Sequence, residues 1–243
     1  MNSKAPTKHT MKKGLPFTIA ALMVTSLFAA DPTPKDEITA AVKKLGDQTS
    51  YSWRTTIVVP DDAPFKPGPT DGKTEKDAFT WISMSMFDNK MEALVKGTKG
   101  AIKQENDWKT LEDYDKEEGF ARMPAMFVRN IKKPAAEAAD LVAGAKELKK
   151  EGDVISGDLT EEGAKKMQTF RGPDGDGNSV TDASGSVKFW VKDGALTKYE
   201  FKLKGKIKFG DQEFPNERTT TVEIKEVNGT KVEVPEAVKK KLS

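Results

Sequence analysis

The chain has no cysteine and a single histidine, His9, in 243 residues. Thiol chemistry, disulfides and a lipid-modified N-terminal cysteine are thereby excluded throughout. Beyond residue 9, so are Ser-His-Asp and Cys-His arrangements and His- or Cys-ligated zinc. Catalysis would have to rest on carboxylates, lysine or tyrosine. The acidic pairs Glu117-Glu118 and Glu161-Glu162 sit in charge-rich, helix-like surroundings, which reads as solvated surface and not as a general acid with its base. An excess of one charge is lacking as well, with 40 Lys+Arg against 38 Asp+Glu, so no strong global field draws nucleic acid. The expectation is a non-enzyme with no catalytic residues, no metal and no cofactor.

Long uncharged runs are absent apart from one, Gly14 to Ala30, which follows Lys12-Lys13. A basic cluster before an apolar run is the layout of a secretory signal. Pro16 lies inside it, and the run falls short of the ~20 residues that span a bilayer comfortably. We assign residues 1–30 to a signal peptide, with Met11 as an alternative start, and 31–243 to a single domain. Leu27 and Phe28 stand where a cleavage site wants small residues, so cleavage and retention as an anchor both stay open. Removing Lys4, Lys8, Lys12 and Lys13 with the leader turns the charge slightly acidic. The periplasm or another extracytoplasmic compartment of a bacterium is the expected location, with no stable transmembrane segment after cleavage.

What is present is mostly β-patterned. Ile38, Ala41, Val42 and Leu45 have helical spacing before Gly46, predicting a short opening helix. YSWRTTIVV (Tyr51 to Val59) reads as a strand and the Pro- and Gly-dense DDAPFKPGPTDGK as a long loop. DAFTWISMSMFD, KMEALVKG and GAIKQEN follow as a meander of three short strands. LEDYDKEEGFARMPAMFVRNI and PAAEAADLVAGAKELKK read as two helices broken near Lys133-Pro134. DVISGDLTEEGAKKM gives a short strand and a third helix entered at Thr160, and FRGPDGDGNSVTDASG another loop. In the C-terminal third, an Asp193-Gly194 hairpin joins Val187, Phe189 and Val191 to an alternation of Tyr199, Phe201, Leu203, Ile207 and Phe209. That period persists for about thirteen residues, against a usual strand of roughly 5–6. Gly205 falls within it, where a bulge would bend a long strand. ERTTTVEIKEV, an Asn228-Gly229 turn and KVEVP complete an antiparallel run. The fold class is α+β: a large curved antiparallel sheet, wet on one face and covered by helices on the other.

The helix-to-strand opening, the meander ending in NDWKT, the helical middle, LTEEGAKK, the FWVKDGALTKYEFK hairpin and the closing VNGTKVEVPEAVKK together resemble the LolA-like group. These bacterial envelope proteins include lipoprotein carriers and mycobacterial lipid-binding lipoproteins of the LppX type. The resemblance spans most of residues 34–241 and is specific in the last sixty. It implies an incomplete β-barrel of about ten or eleven strands wrapped around helices, with a hydrophobic cavity between. This chain departs from the anchored members in having no cysteine, and no functional residue of a carrier maps onto it.

Three features bear on ligands. In AFTWISMSMFD both faces are apolar, Phe79, Trp81 and Phe87 on one and Ile82, Met84 and Met86 on the other. An antiparallel strand normally keeps one face wet, so either an extra layer covers both sides or one side lines a ligand cavity. Flexible apolar side chains suit acyl chains, which makes Trp81, Met84, Met86, Phe120, Met123, Met126 and Phe127 the candidate lining of a hydrophobic or lipidic site. Each is equally suited to plain core. Lys198, Lys202, Lys204, Lys206 and Lys208 form a stripe that could meet anionic headgroups or an envelope protein partner; the plainer reading pairs it with Glu213, Glu217, Glu223 and Glu226 across strands. Asp174, Asp176, Asn178 and Asp182 imitate half a calcium loop, but Ser179 and Gly185 stand where its Gly and Glu belong. Met84, Met86 and Met91 offer thioethers for Cu(I), though methionine more often fills space. The expected function is a non-enzymatic envelope protein that binds a hydrophobic ligand; the alternative is an interaction or sensing module without one.

Overall fold

The computed structural model describes residues 1–2, 31–63, 66–86, 89–105, 107–170, 178–209 and 212–242. Most of the expected signal peptide, Phe87, and the Asp174 and Asp176 positions of the calcium-like loop lie outside these residues, as does the side chain of Met86. Pro32–Ser243 groups as one compact unit.

In chain order the elements are α1 (Pro34–Asp47), β1 (Ser50–Val58), β2 (Thr70–Glu75), β3 (Thr80–Met86), β4 (Asn89–Lys96), β5 (Lys99–Gln104) and β6 (Asp107–Thr110). Next come α2 (Leu111–Asp115), a 3-10 turn (Gly119–Arg122), α3 (Met123–Asn130), α4 (Pro134–Gly144), β7 (Lys149–Glu151), β8 (Val154–Asp158) and α5 (Glu161–Gln168). β9 (Ser179–Lys192), β10 (Ala195–Phe209), β11 (Gln212–Lys225) and α6 (Glu236–Lys241) close the chain. The strands form one 11-stranded sheet in the order β6-β5-β4-β3-β2-β1-β11-β10-β9-β8-β7. Its pairs are antiparallel, and it runs from edge β6 to edge β7 without closing into a barrel. The α+β reading and the strand number hold.

Local chemistry explains the element starts. Thr33 and Asp36 form a reciprocal capping box ahead of α1, and Ile38, Ala41, Val42 and Leu45 are its buried residues. Thr160 accepts from the Gly163 amide at the head of α5, where Glu161 and Glu162 meet the positive helix end. The long strand around Tyr199 is β10. Its bulge lies in β9: Lys204 pairs with Ser184 and Lys206 with Thr181, so Asp182 and Ala183 together oppose Gly205. Asp182 takes a left-handed φ of 53° there. Gly205 is also tightly packed: a Cβ would lie 3.0 Å from the Gln168 side chain and 3.2 Å from the Thr181 carbonyl oxygen. Gln168 is buried; it donates to the carbonyl of Lys204 and accepts from Asn216 at 2.8 Å.

Several expectations are corrected. The segment read as loop through Lys73 contains β2, because β1 and β3 supply its ladder on both sides. The helix expected over residues 111–131 is three pieces, interrupted at Gly119, which has φ 55°. The next helix stops at Gly144, and residues 149–151 pair with β8 as a strand. The loop assigned up to Gly185 gives way to strand at Ser179. KVEVP is not a strand: after Asn228, at φ 60°, the chain runs outside the ladders to α6. Its alternation still has a use, since Val232 and Val234 pack on Leu94 and Ala101.

Helices α1–α5 cover one sheet face. Trp53, Gly72 and Ile82 are successive cross-strand partners, so the cluster of α1, α4 and α5 with Tyr51, Trp53, Phe189 and Tyr199 shares that inner face with the cluster of α2 and α3 around Ile82 and Met84. The outer face of β3–β5 is covered by the C-terminal segment, with Val238 and Leu242 buried against Leu94 and Ala101. Both apolar faces of β3 are therefore layered, the first of the two sequence alternatives.

Candidate functional site

The register aligns a row of inner-face residues across seven strands: Phe189, Tyr199, Val222, Thr55, Thr70, Met84 and Met91. Phe189, Tyr199 and Val222 are buried under α1 and α4, and Met84 is buried under α2 and α3. Between them Thr55 and Thr70 are only half-buried. The neighbouring row through Trp53, Gly72 and Ile82 is closed. On the opposite side, Ile57 is half-buried beside Thr220. Coverage thus lapses along a strip of β1 and β2 where the two helical groups do not merge. An apolar floor carrying a few hydroxyls is a common lining for a ligand cleft.

The candidate lining residues divide. Met84 belongs to the α2–α3 cluster, where Ala125 and Val128 of α3 are buried beside it. Met123, Met126 and Phe127 on α3 are half-buried. The Phe127 ring lies 5.7 Å from that of Phe170, which ties α3 to the segment after α5. Phe120, on the 3-10 turn, is 88% exposed. Trp81 is on the other face of the sheet, with Trp108, Val232 and Val234, so it does not join Met84. Met86 pairs through its backbone with Asn89.

Sequence reasoning missed a polar group on β11, four residues along the strand from Val222 of the row. Arg218 on β11 opposes Leu203 and shares a face with Thr220 and Val222. Its Nη2 donates to the carbonyl of Met167 at 3.2 Å, in the last turn of α5. On α4, Glu137 Oε2 accepts from the Tyr199 hydroxyl at 2.7 Å. Burial raises the Glu137 carboxyl above its ordinary value, opposed by the Tyr199 bond and by Lys132 and Arg218. Burial pushes Tyr199 well above the usual phenol range, reinforced by Glu137. Arg218 is lowered by burial against the field of Glu137. A signal for Arg218 existed: in ERTTTVEIK it is the charged member of the alternating set Arg218, Thr220, Val222 and Ile224.

Three lysines of the stripe are paired across strands. Glu217 lies 3.0 Å from Lys202 and 3.1 Å from Lys204, and Lys206 lies 3.0 Å from Asp182. Lys198 sits 4.4 Å over the Trp190 ring. Of the calcium-like set, Asn178 is committed to Gln168 and Phe170, and Asp182 to Lys206. On the outer face a groove of about 630 Å³ runs beneath residues 231–235, lined by Trp81, Trp108, Lys73, Lys103 and Glu92 among others. Among the described residues, no helix is long and apolar enough to cross a membrane.

No family model matches the chain, and no curated protein matches it. Among solved structures it is similar to the lipoprotein LppX of Mycobacterium tuberculosis, at 14% identity over 85% of this chain and 100% of that one, with a TM-score of 0.49. It is also similar to LprF from Mycobacterium bovis, at 12% identity over 84% and 97% of the two chains, with a TM-score of 0.44. A LolA superfamily protein from Nitrosomonas europaea aligns at 11% identity over 87% and 97%, with a TM-score of 0.33.

Proposed function

We propose that this is a non-enzymatic binding protein of the bacterial envelope, which holds a hydrophobic or lipidic ligand on the inner face between α3 and α5. One observation carries the reading. The row from Tyr199 to Met84 is buried at both ends and half-open at Thr55 and Thr70, and the adjoining helix α3 presents half-buried Met123, Met126 and Phe127. A finished core would close over such a row. Unbranched methionines bordering a gap adapt to an acyl chain at little packing cost. Native mass spectrometry of protein taken from its own envelope is expected to show a co-purifying lipid, or uptake of added lipid after delipidation. Protein that carries none and takes up none contradicts the proposal.

A second reading, an interaction module, draws on the outer groove, where Trp81 and Trp108 are half-buried next to Lys73 and Lys103. Aromatic anchors ringed by charge are common at protein interfaces. Alanine at Trp108 would weaken partner capture and leave lipid uptake intact, whereas the leading reading expects the reverse for substitutions at Met126.

A further inference from the structure

The outer groove of about 630 Å³ has the size of a small-ligand site, and its parts are held in place. Cross-strand pairing makes the floor: Lys73 opposes Trp81, Trp81 opposes Leu94, and Lys103 opposes Trp108. The wall is the extended segment through Val232, Glu233 and Val234. Its Val232 amide donates to Glu75 at 3.0 Å, and Val232 and Val234 pack on Leu94 and Ala101. Trp81 and Trp108 are half-buried. The Lys73 ammonium lies 5.7 Å over the Trp81 ring, so a face of that indole is turned to the groove.

The polar lining is of two kinds. Lys73, Lys103 and Lys231 only donate hydrogen bonds, whereas the carboxylates of Glu92 and Glu233 only accept them. Glu92 is shared between Lys90 at 3.2 Å and Lys103 at 3.6 Å. Among the described residues, Lys73, Lys231 and Glu233 have no ion-pair partner. A ligand with acceptors alone would set them against the carboxylates, and one with donors alone would set them against the ammonium groups. A hydroxyl both donates and accepts. A sugar ring adds apolar C–H faces, which meet the negative face of an indole.

We infer that this groove binds a saccharide, with one ring on Trp81, another on Trp108, and hydroxyls between the lysines and glutamates. The inference names the occupant of the groove in the second reading above and does not depend on the inner cleft. β3 and β6 stand three strand spacings apart, about 14 Å, so a single ring does not reach both indoles and an extended trimer does. The fixed wall limits the ordering cost of binding.

The test titrates the full chain by calorimetry with trimers of a neutral hexose, of N-acetylhexosamine and of a hexuronate. A second arm sediments the protein with insoluble peptidoglycan, which separates a polymeric glycan from a free oligosaccharide as the source. Binding is expected in at least one arm, with a dissociation constant near or below about 1 mM for a trimer. For a neutral trimer the affinity should not change with salt, because no ion pair forms. Trp108→Ala should weaken binding about tenfold or more, with Trp108→Phe restoring part of it. Lys231→Met, at an exposed position that the fold does not depend on, should weaken it as well. No binding in either arm overturns the inference. So does binding that both the Trp108→Ala and Lys231→Met variants retain in full, which places the saccharide elsewhere. A protein partner captured at the groove without any bound saccharide overturns it and leaves the interaction reading standing.

Discussion

The indole of Trp53 on β1 occupies the space where a side chain at Gly72 on β2 would stand: a Cβ there would lie 2.1 Å from the ring carbon Cζ2. Gly72 pairs with both Trp53 and Ile82, and its bare backbone leaves room for the large ring to lie over β2. This contact closes the row next to the half-open strip.

Gly72→Ala should force the ring away and cost about 1–3 kcal/mol, the usual range for overpacking. Urea unfolding followed by tryptophan emission measures it. A change under about 0.5 kcal/mol, the scale of an ordinary surface substitution, would show that the ring is not wedged.

Glu137 makes stability depend on pH in a defined direction. Its folded-state value is raised above the ordinary 4.5 by burial, so the folded protein holds this proton more tightly than the unfolded chain. The contribution is complete below 4.5 and is lost as pH rises through the folded value. Unfolding free energy of the wild type relative to Glu137→Gln should therefore fall as pH is raised from 4.5. A difference that is flat with pH would contradict it.

Removing the outer layer should expose the opposite face of β3 and β4. Val238 is fully buried against Leu94 and Ala101, and Val238→Asp would bury a charge without a partner there. The expected result is a loss of at least about 2 kcal/mol, with a red shift of the emission from Trp81 and Trp108. An unshifted spectrum at native conditions would mean that the segment stays docked.

Phe127→Ala should loosen α3 from the segment carrying Phe170. Losing an aromatic pair worth about 0.5–1.5 kcal/mol should speed amide exchange over residues 123–130 and hasten release of a bound apolar dye, with β9–β11 unchanged. Uniform acceleration across the sheet would instead mark Phe127 as part of the global core.

Charge reversal on the stripe should matter little. Glu217→Lys removes the partner of Lys202 and Lys204, yet exposed pairs contribute about 0–1 kcal/mol, and the effect should shrink in salt. A loss above about 2 kcal/mol would show that the network does more than solvate the sheet.

The faces of β10 and the buried stripe of α1 were legible because each depends on the spacing of neighbouring residues. Alternation turns Tyr199, Phe201 and Leu203 inward wherever the strand is placed, and Thr33 or Thr160 can cap a helix start within one turn. β2 was not legible, because Thr70-Asp-Gly-Lys has turn-like chemistry and becomes a strand only between β1 and β3. The same limit hid the site: Trp81 and Met84 lie three residues apart on opposite faces, and which layer covers each depends on α3 and the distant segment near Val238.

Chain-local rules thus determine the two-residue period of the long strands and the capped starts of α1 and α5. Only the fold decides that β1 pairs with β11, that Val232 and Val234 form a cover without becoming a strand, and that Glu137 on α4 accepts from Tyr199 on β10. Those facts depend on closing loops of many residues and on competition among partners. That competition is settled by the burial of whole surfaces, which no short window of sequence contains.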